Sequence, residues 1–254
     1  MNDLDPRLRE VFFDVQRGLP RQGPGGDHST ARALALCSDL PDKPGVLDIG
    51  CGPGMQTVAL ANATSGNVIA VDTCDEYLDE LRRRLDSASL SGRVDVINAD
   101  MAALNLAEAS FDLIWCEGAA YVMGVREALT AWRPLLRGRG YLAFSELVWL
   151  DGQPDREVAE FFADEYPAMT NVESVRRVVR DTGYEPVADF TLPDSAWWDD
   201  YYTPLASKLP ALQEKYRGDE QALSVVAMTE REIDMRRRFG QSYGYQFFVA
   251  RNSG

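Results

Sequence analysis

Val46-Leu-Asp-Ile-Gly-Cys-Gly-Pro-Gly54 decides how the chain is to be read. Val46 to Ile49 has the pattern of a short buried strand, and Gln56 to Ala63 reads as a helix. The glycine-rich turn between them lets the backbone approach a ligand closely, and the helix N-terminus behind it faces an anionic or polar group. Asp72 lies 22 residues after Gly50 and ends a second β-branched run, Val68–Val71. A carboxylate in that place accepts hydrogen bonds from ribose hydroxyls. Turn and carboxylate together read as a nucleoside-cofactor site at the C-terminal ends of two strands.

Working outward, the same alternation continues. Asp75–Leu85 carries Leu78, Leu81 and Leu85 on one helical stripe. Val94–Ile97, Phe111–Trp115 and Tyr141–Phe144 read as further strands, with a helix over Arg126–Leu136. Strands spaced by helices make βαβ units and a parallel sheet covered on both faces, so the fold class is α/β.

Both flanks depart from this rhythm. A helix is expected over Pro6–Arg17, followed by the Gly/Pro-rich loop Gly18–Gly26 and a helix from an Asp27 or Ser29 N-cap to about Ser38. Residues 1–27 are therefore expected as a flexible lead-in that closes over the site as a lid. Residues 28–254 form the main domain. Within it, helical cap segments are expected over about 151–182, with helices at Asp155–Glu165 and Val172–Arg180, and over 193–242. A strand near Val187–Leu192 precedes the second cap, and Tyr245–Ala250 is the last strand.

The details of the turn select the cofactor. A dinucleotide fingerprint, G-x-G-x-x-G, would place its third glycine at position 55, which is Met55; the third glycine is Gly54. Asp48 would repel a pyrophosphate but attract a cationic α-amino group. S-adenosylmethionine has a ribose, an α-amino group and no phosphate, and suits these residues better than a nicotinamide dinucleotide.

Val46–Gly54 resembles the first motif of class I S-adenosylmethionine-dependent methyltransferases. Asp72, Asn98-Ala-Asp100-Met101, Phe111–Gly118 and Pro134–Tyr141 follow in that family's order, so the likeness covers about residues 28–150. Glu117-Gly-Ala-Ala-Tyr121, Ser145-Glu146 and Tyr243-Gly-Tyr245 resemble a bacterial branch that methylates small molecules. The resemblance implies a Rossmann-like, doubly wound sheet of seven strands, mostly parallel with an antiparallel last strand. It implies that Asp48 and the backbone of Gly50 and Gly52 hold the methionine end of the cofactor, and that Cys51, Gly54 and Thr73 also bind the cofactor. Asp72 would meet the ribose, Asp100 and Met101 the adenine, and Glu117 the methyl-bearing end. Glu117, Tyr121 and Glu146 are the catalytic candidates, with Trp149 beside the acceptor. S-adenosylhomocysteine would be the product, and no metal is implied.

Each residue also has a plainer reading. Asp72 and Asp100 are suited to capping a helix or turn, and Glu117, Tyr121 and Glu146 to ordinary packing. Trp197-Trp-Asp-Asp-Tyr-Tyr202 reads as a pocket wall, a cation cage, the core of the insertion or a dimer contact. Arg82–Arg84 and Arg236–Arg238 are expected as solvated helix ends, and His28, the single histidine, as a surface residue.

Composition narrows the partners. The 254 residues carry 26 basic and 40 acidic side chains, net −14, which disfavours a phosphate backbone and an anionic membrane surface. No apolar run approaches the roughly 20 residues of a membrane span, and the start lacks a signal-peptide pattern. Four scattered cysteines without CxxC spacing read as reduced thiols of a cytoplasmic protein. The expected function is methyl transfer by in-line displacement to a small-molecule acceptor, with N, O, S or C undetermined. The competing readings are a protein or RNA methyltransferase and a nicotinamide-dependent oxidoreductase. A homodimer through the late insertion stays open.

Overall fold

A computed structural model describes residues 5–254. Its sheet runs β3-β2-β1-β4-β5-β8-β7, built from β1 (Val46–Ile49), β2 (Val68–Asp72), β3 (Val94–Asn98), β4 (Phe111–Glu117), β5 (Leu136–Trp149), β7 (Tyr184–Thr191) and β8 (Tyr243–Asn252). The first five pair in parallel, and β8 runs antiparallel between β5 and β7. The expected seven strands and antiparallel last strand are therefore present. An eighth, the two-residue β6 (Thr170–Asn171), was not foreseen; it pairs with Val148–Trp149 of β5, beyond the last β4 partner, Ser145. The strand order reverses between β1 and β4, where ligands of open α/β sheets bind at the carboxyl ends.

Helices α2 (Asp27–Ala35), α3 (Met55–Ala63), α4 (Asp75–Ser87), α5 (Val125–Trp132) and α7 (Val172–Asp181) belong to the sheet layers. One face buries Leu60, Leu78, Leu81 and Trp115, and the other Ile49, Ile114, Trp132 and Phe144. Two boundaries differ from expectation for evident reasons. α5 stops at Trp132 because Pro134 has no N–H to continue the ladder, and Arg133–Leu135 tightens into a 3₁₀ turn. α2 has Gly26 at its N-cap without a side-chain cap, rather than Asp27 or Ser29.

A third core forms the cap. It unites α1 (Pro6–Gln16), α6 (Arg156–Glu165), the turn α8 (Ser195–Trp197), α9 (Thr203–Lys215) and α10 (Glu220–Phe239) around Val11, Val15, Phe161, Tyr202, Leu205 and Val226. The lead-in expected to be flexible is, from residue 5 on, a packed helix and a pinned strap. Lys208 Nζ donates to the carbonyls of Asp14 and Val15 at 2.9 and 2.7 Å, where a cation complements the α1 C-terminus. Asp14 is buried and bound by the Tyr216 hydroxyl and by Lys215. Expected residues 1–4 of that lead-in lie outside the described residues.

Between α8 and α9, Trp198–Tyr202 forms a π-helical turn. The wider turn brings Trp197, Tyr201 and Tyr202 all inward, so these members of the aromatic cluster are cap core. Arg236 corrects another expectation. It is 6 % exposed, lies 4.1 Å from the Trp197 ring centre and donates to Asp194 and to the Gly240 and Tyr243 carbonyls. The pattern of a basic helix end hid one arginine that joins α10 to the approach to β8. Among the described residues no helix is long and apolar enough to cross a membrane.

Candidate active site

The glycine turn is shaped by backbone demands. Gly50, Gly52 and Gly54 all have positive φ, at 71°, 52° and 84°. A Cβ on Gly50 would meet Ala119 Cβ at 2.5 Å and Met101 Cε at 3.5 Å, and one on Gly54 would meet Leu81 Cδ1 at 2.2 Å. The turn is thus pressed against the loops that follow β3 and β4. Gly52 is buried too, but a Cβ there would meet only Gln22 Cγ, at 3.8 Å, so the turn is least tightly packed at this residue. The Cys51 thiol is buried in the sheet core and burial pushes its pKa well up. Only its backbone is available to a cofactor, and it is no nucleophile.

Asp72 orders this turn. Its Oδ2 accepts from Gly52 N at 2.9 Å and its Oδ1 from Cys74 N at 3.0 Å. A carboxylate has about four acceptor positions, so capacity for two hydroxyls remains. Thr73 is exposed beside it. One strand over, the Asp100 carboxylate accepts from Ala102 N at 2.9 Å, the turn-capping arrangement, while the exposed rest of the side chain stays free. The Met101 carbonyl is held by Trp132 Nε1 at 3.1 Å.

Asp48 is fully buried in β1. Thr57 Oγ1 donates to its Oδ2 at 2.6 Å, but Oδ1 has no partner. Burial pushes its pKa up to about 7 against that hydrogen bond, and the carboxylate of Glu117 adds to the rise. A buried acid with one idle oxygen suits a cationic group.

Glu117, at the tip of β4, is the opposite case. Its carboxylate takes Arg21 Nη1 at 2.8 Å, Thr30 Oγ1 at 2.8 Å and Trp115 Nε1 at 2.9 Å, with the Arg21 and Glu117 side chains 5 % and 6 % exposed. Arg21 arrives from the strap, which is pinned by Tyr77 Oη to Gln22 Oε1 at 2.8 Å, Arg84 Nη1 to the Pro20 carbonyl at 2.9 Å, and Gly25 N to the Ala196 carbonyl at 3.0 Å. The N-terminal segment and the cap therefore meet over the β4 tip. The Arg21 Nε is buried without a partner.

Glu146 follows Ser145, the strand partner of Glu117, and alternation sends it to the other sheet face. It is 2 % exposed. Its Oε1 accepts from Tyr166 Oη at 3.0 Å and from Leu147 N at 3.1 Å, while Oε2 is buried and unpartnered. Burial pushes its pKa up to about 7, although both hydrogen bonds pull it down. Tyr121 packs edge-on against Tyr166, ring centres 5.6 Å apart, with about half its own surface (48 %) exposed at the mouth. Trp149 packs on Phe162 and Tyr243 in the cap core. His28 is exposed, as expected.

The structure brings Asp48, the glycine turn, Asp72, Met101 and Glu117 to one end of the sheet. It adds Arg21, Thr30, Thr57, Trp115 and Tyr166, none of which stood out in the sequence. The best available signal was Arg21, the one charge in a stretch stiffened by Pro20 and Pro24.

A parallel sheet reversing at a glycine turn, with an acid closing the second strand, is an arrangement shared with class I S-adenosylmethionine-dependent methyltransferases, and the comparisons with known proteins point to the same class. The Methyltransferase domain family matches residues 46–140. An O-methyltransferase of Aspergillus nomiae is 28% identical over 149 residues, covering 58% of this chain and 66% of that protein. The 27-O-demethylrifamycin SV methyltransferase of Amycolatopsis mediterranei is 25% identical, covering 85% and 80%. The fold matches a Geobacter sulfurreducens S-adenosylmethionine-dependent methyltransferase solved with S-adenosyl-L-homocysteine, at a TM-score of 0.81 and 19% identity, covering 98% and 99%.

Proposed function

We propose that this methyltransferase acts on a small organic molecule held between the β4 and β5 tips and the cap. The observation that carries the reading is the enclosure of the β4 tip. The strap, the cap and a buried Arg21–Glu117 pair cover it, leaving little room for a macromolecule to reach the site. The similarity to the 27-O-demethylrifamycin SV methyltransferase and the net charge of −14 support the same choice over RNA. With its cysteines reduced, the protein is assigned to the cytoplasm.

In this reading the residues present fit the cofactor. The idle Asp48 Oδ1 would take the α-amino group. Asp72 would take the ribose hydroxyls, with Thr73 beside it, and Asp100 and Met101 the adenine edge. Gly50, Cys51, Gly52 and Gly54 contribute backbone only. When bound, S-adenosylmethionine supplies a methyl group already activated by a sulfonium. The protein's work is then to orient the acceptor, exclude water and hold protons. Glu117, satisfied by three donors, orients and shields. Glu146, with a free oxygen and a pKa near neutrality, is the group fitted to accept the acceptor's proton. Tyr121 stands at the mouth, where it guides the acceptor.

The test is radiolabelled methyl uptake by a panel of small acceptors, with and without the wild-type protein. Transfer that Glu146→Gln lowers by about 100-fold supports the reading. Equal turnover in the two proteins contradicts the role given to Glu146.

A further inference from the structure

We propose that Pro20–Gly25 is a gate over the amino-acid half of the cofactor site, which admits the methionine tail only after adenosine has docked on the open half. The inference rests on the cofactor reading above and concerns how that same site is filled.

The two halves of the site differ in cover. On the adenosine side Thr73 and Asp100 are exposed and Asp72 is half-buried. On the other side Cys51, Gly52, Pro53 and Gly54 are all buried, and Asp48 is 0 % exposed. The strap roofs this second half. Gln22 Cγ sits 3.8 Å from a Cβ built on Gly52, and the adjacent Arg21 reaches Glu117 Oε2 at 2.8 Å. Gln22 is tethered at both ends of its amide: Tyr77 Oη donates to Oε1 at 2.8 Å, and Nε2 donates to the Gln16 carbonyl at 3.3 Å. Gly25 closes over the ion pair, since a Cβ there would meet Arg21 Nη1 at 2.6 Å and Glu117 Oε2 at 3.0 Å. A methionine tail bound to Asp48 and the glycine turn lies beneath this roof, so the roof lifts for it to enter or leave.

The strap is built to move as a short piece. Leu19 before it is buried in the cap core, and α2 after it packs Ala33 into the sheet core. Within Pro20–Gly25 the one backbone–backbone hydrogen bond among the described residues runs from Gly25 N to the Ala196 carbonyl at 3.0 Å. The other ties run through side chains: Arg84 Nη1 on the Pro20 carbonyl at 2.9 Å, Tyr77 and Gln16 on Gln22, and Arg21 on Glu117. A segment without a backbone ladder opens more readily than the helices that flank it. Gly23 and Gly26, where a built Cβ meets nothing within 4 Å, leave its far end room to swing. The buried Arg21–Glu117 pair makes the closed strap the resting state, because parting it leaves a carboxylate without its charge partner.

Surface plasmon resonance on the immobilised full chain tests this with two ligands, S-adenosylhomocysteine and adenosine, and two variants, Tyr77→Phe and Arg84→Gln. Each variant removes one donor to the strap, and neither residue is among those assigned to the cofactor. Loss of one such hydrogen bond raises the open population about five-fold. The expected result is that S-adenosylhomocysteine associates and dissociates about five-fold faster in both variants, with its Kd held within about two-fold. Adenosine keeps its wild-type Kd, and melting temperatures verify that both variants fold. Wild-type rates in both variants overturn the inference, as does adenosine that fails to bind or weakens along with S-adenosylhomocysteine. Failure of S-adenosylhomocysteine to bind the wild type counts against the cofactor reading instead. The gate is then read by trypsin cleavage of the Arg21–Gln22 bond, followed by mass spectrometry. Cleavage about five-fold faster in Tyr77→Phe, relative to cleavage after exposed Arg139, supports the gate, and equal cleavage overturns it.

Discussion

Glu117 ends β4 and Glu146 lies in neighbouring β5, one residue beyond the strand partner of Glu117, yet their surroundings are opposite. Glu117 is paired with Arg21, capped by Thr30 and held by Trp115, so every part of its charge is answered. Glu146 is as deeply buried, has a phenol and one backbone N–H on a single oxygen, and leaves the other idle. The first carboxylate locks strap to sheet. The second is held at a cost to stability, since a buried polar atom without a partner is unfavourable by about 1–3 kcal/mol, and a role in proton transfer would give that cost a use.

The difference is open to direct attack. The largest effect is expected at the lock: Arg21→Ala leaves Glu117 buried beside an empty cationic position and should lower unfolding free energy by about 3 kcal/mol or more, read by urea denaturation. A loss below about 1 kcal/mol would mean that Thr30 and Trp115 suffice, and the contrast would weaken.

Glu146→Gln should move stability the other way. The folded pKa of about 7 lies above the ordinary carboxylate value of 4.5, so the native state binds more protons than the unfolded chain between those pH values. Burial of the charge therefore costs stability progressively as pH rises from about 4.5 to about 7. The variant should be more stable than wild type at pH 8, by of order 2 kcal/mol, with the gain gone by pH 4. Thermal melts at the two pH values measure it; a variant destabilised at pH 8 would show that the Glu146 charge is answered after all.

A smaller effect sharpens the same point. Tyr166→Phe removes a donor that lowers the Glu146 pKa, so the acid limb of the kcat profile should move to higher pH. The stability change should stay near 1 kcal/mol. An unmoved limb would detach Glu146 from the observed rate.

How far these features were legible follows from the physics of each. The strands from Val46 to Phe144 declare themselves because parallel strands buried on both faces are continuous apolar runs between turn signals. The glycine turn and Asp72 are local in sequence and were read together for that reason. Glu117 was found at a strand end, but Arg21 and Thr30 reach it across 96 and 87 residues, and no periodicity records such a distance. The cap was harder. Arg236 looks like any cation ending a helix, and only the ring of Trp197 beneath it shows that it is buried. β5 runs well past its apolar stretch because β8 and the short β6 complete its pairing, an arrangement that depends on tertiary partners.

The central claim, that the carboxylate closing β2 holds the cofactor's ribose, is best tested by a two-by-two binding cycle. S-adenosylhomocysteine and its 2′-deoxyribose analogue are titrated calorimetrically into wild type and Asp72→Ala. Because Asp72 also anchors Gly52, the substitution loosens the turn for both ligands, and the cycle cancels that common loss. The account predicts that the missing hydroxyl weakens binding about ten-fold in the wild type and hardly at all in the variant. An equal loss in both proteins would contradict it and leave Asp72 as the anchor of the glycine turn alone.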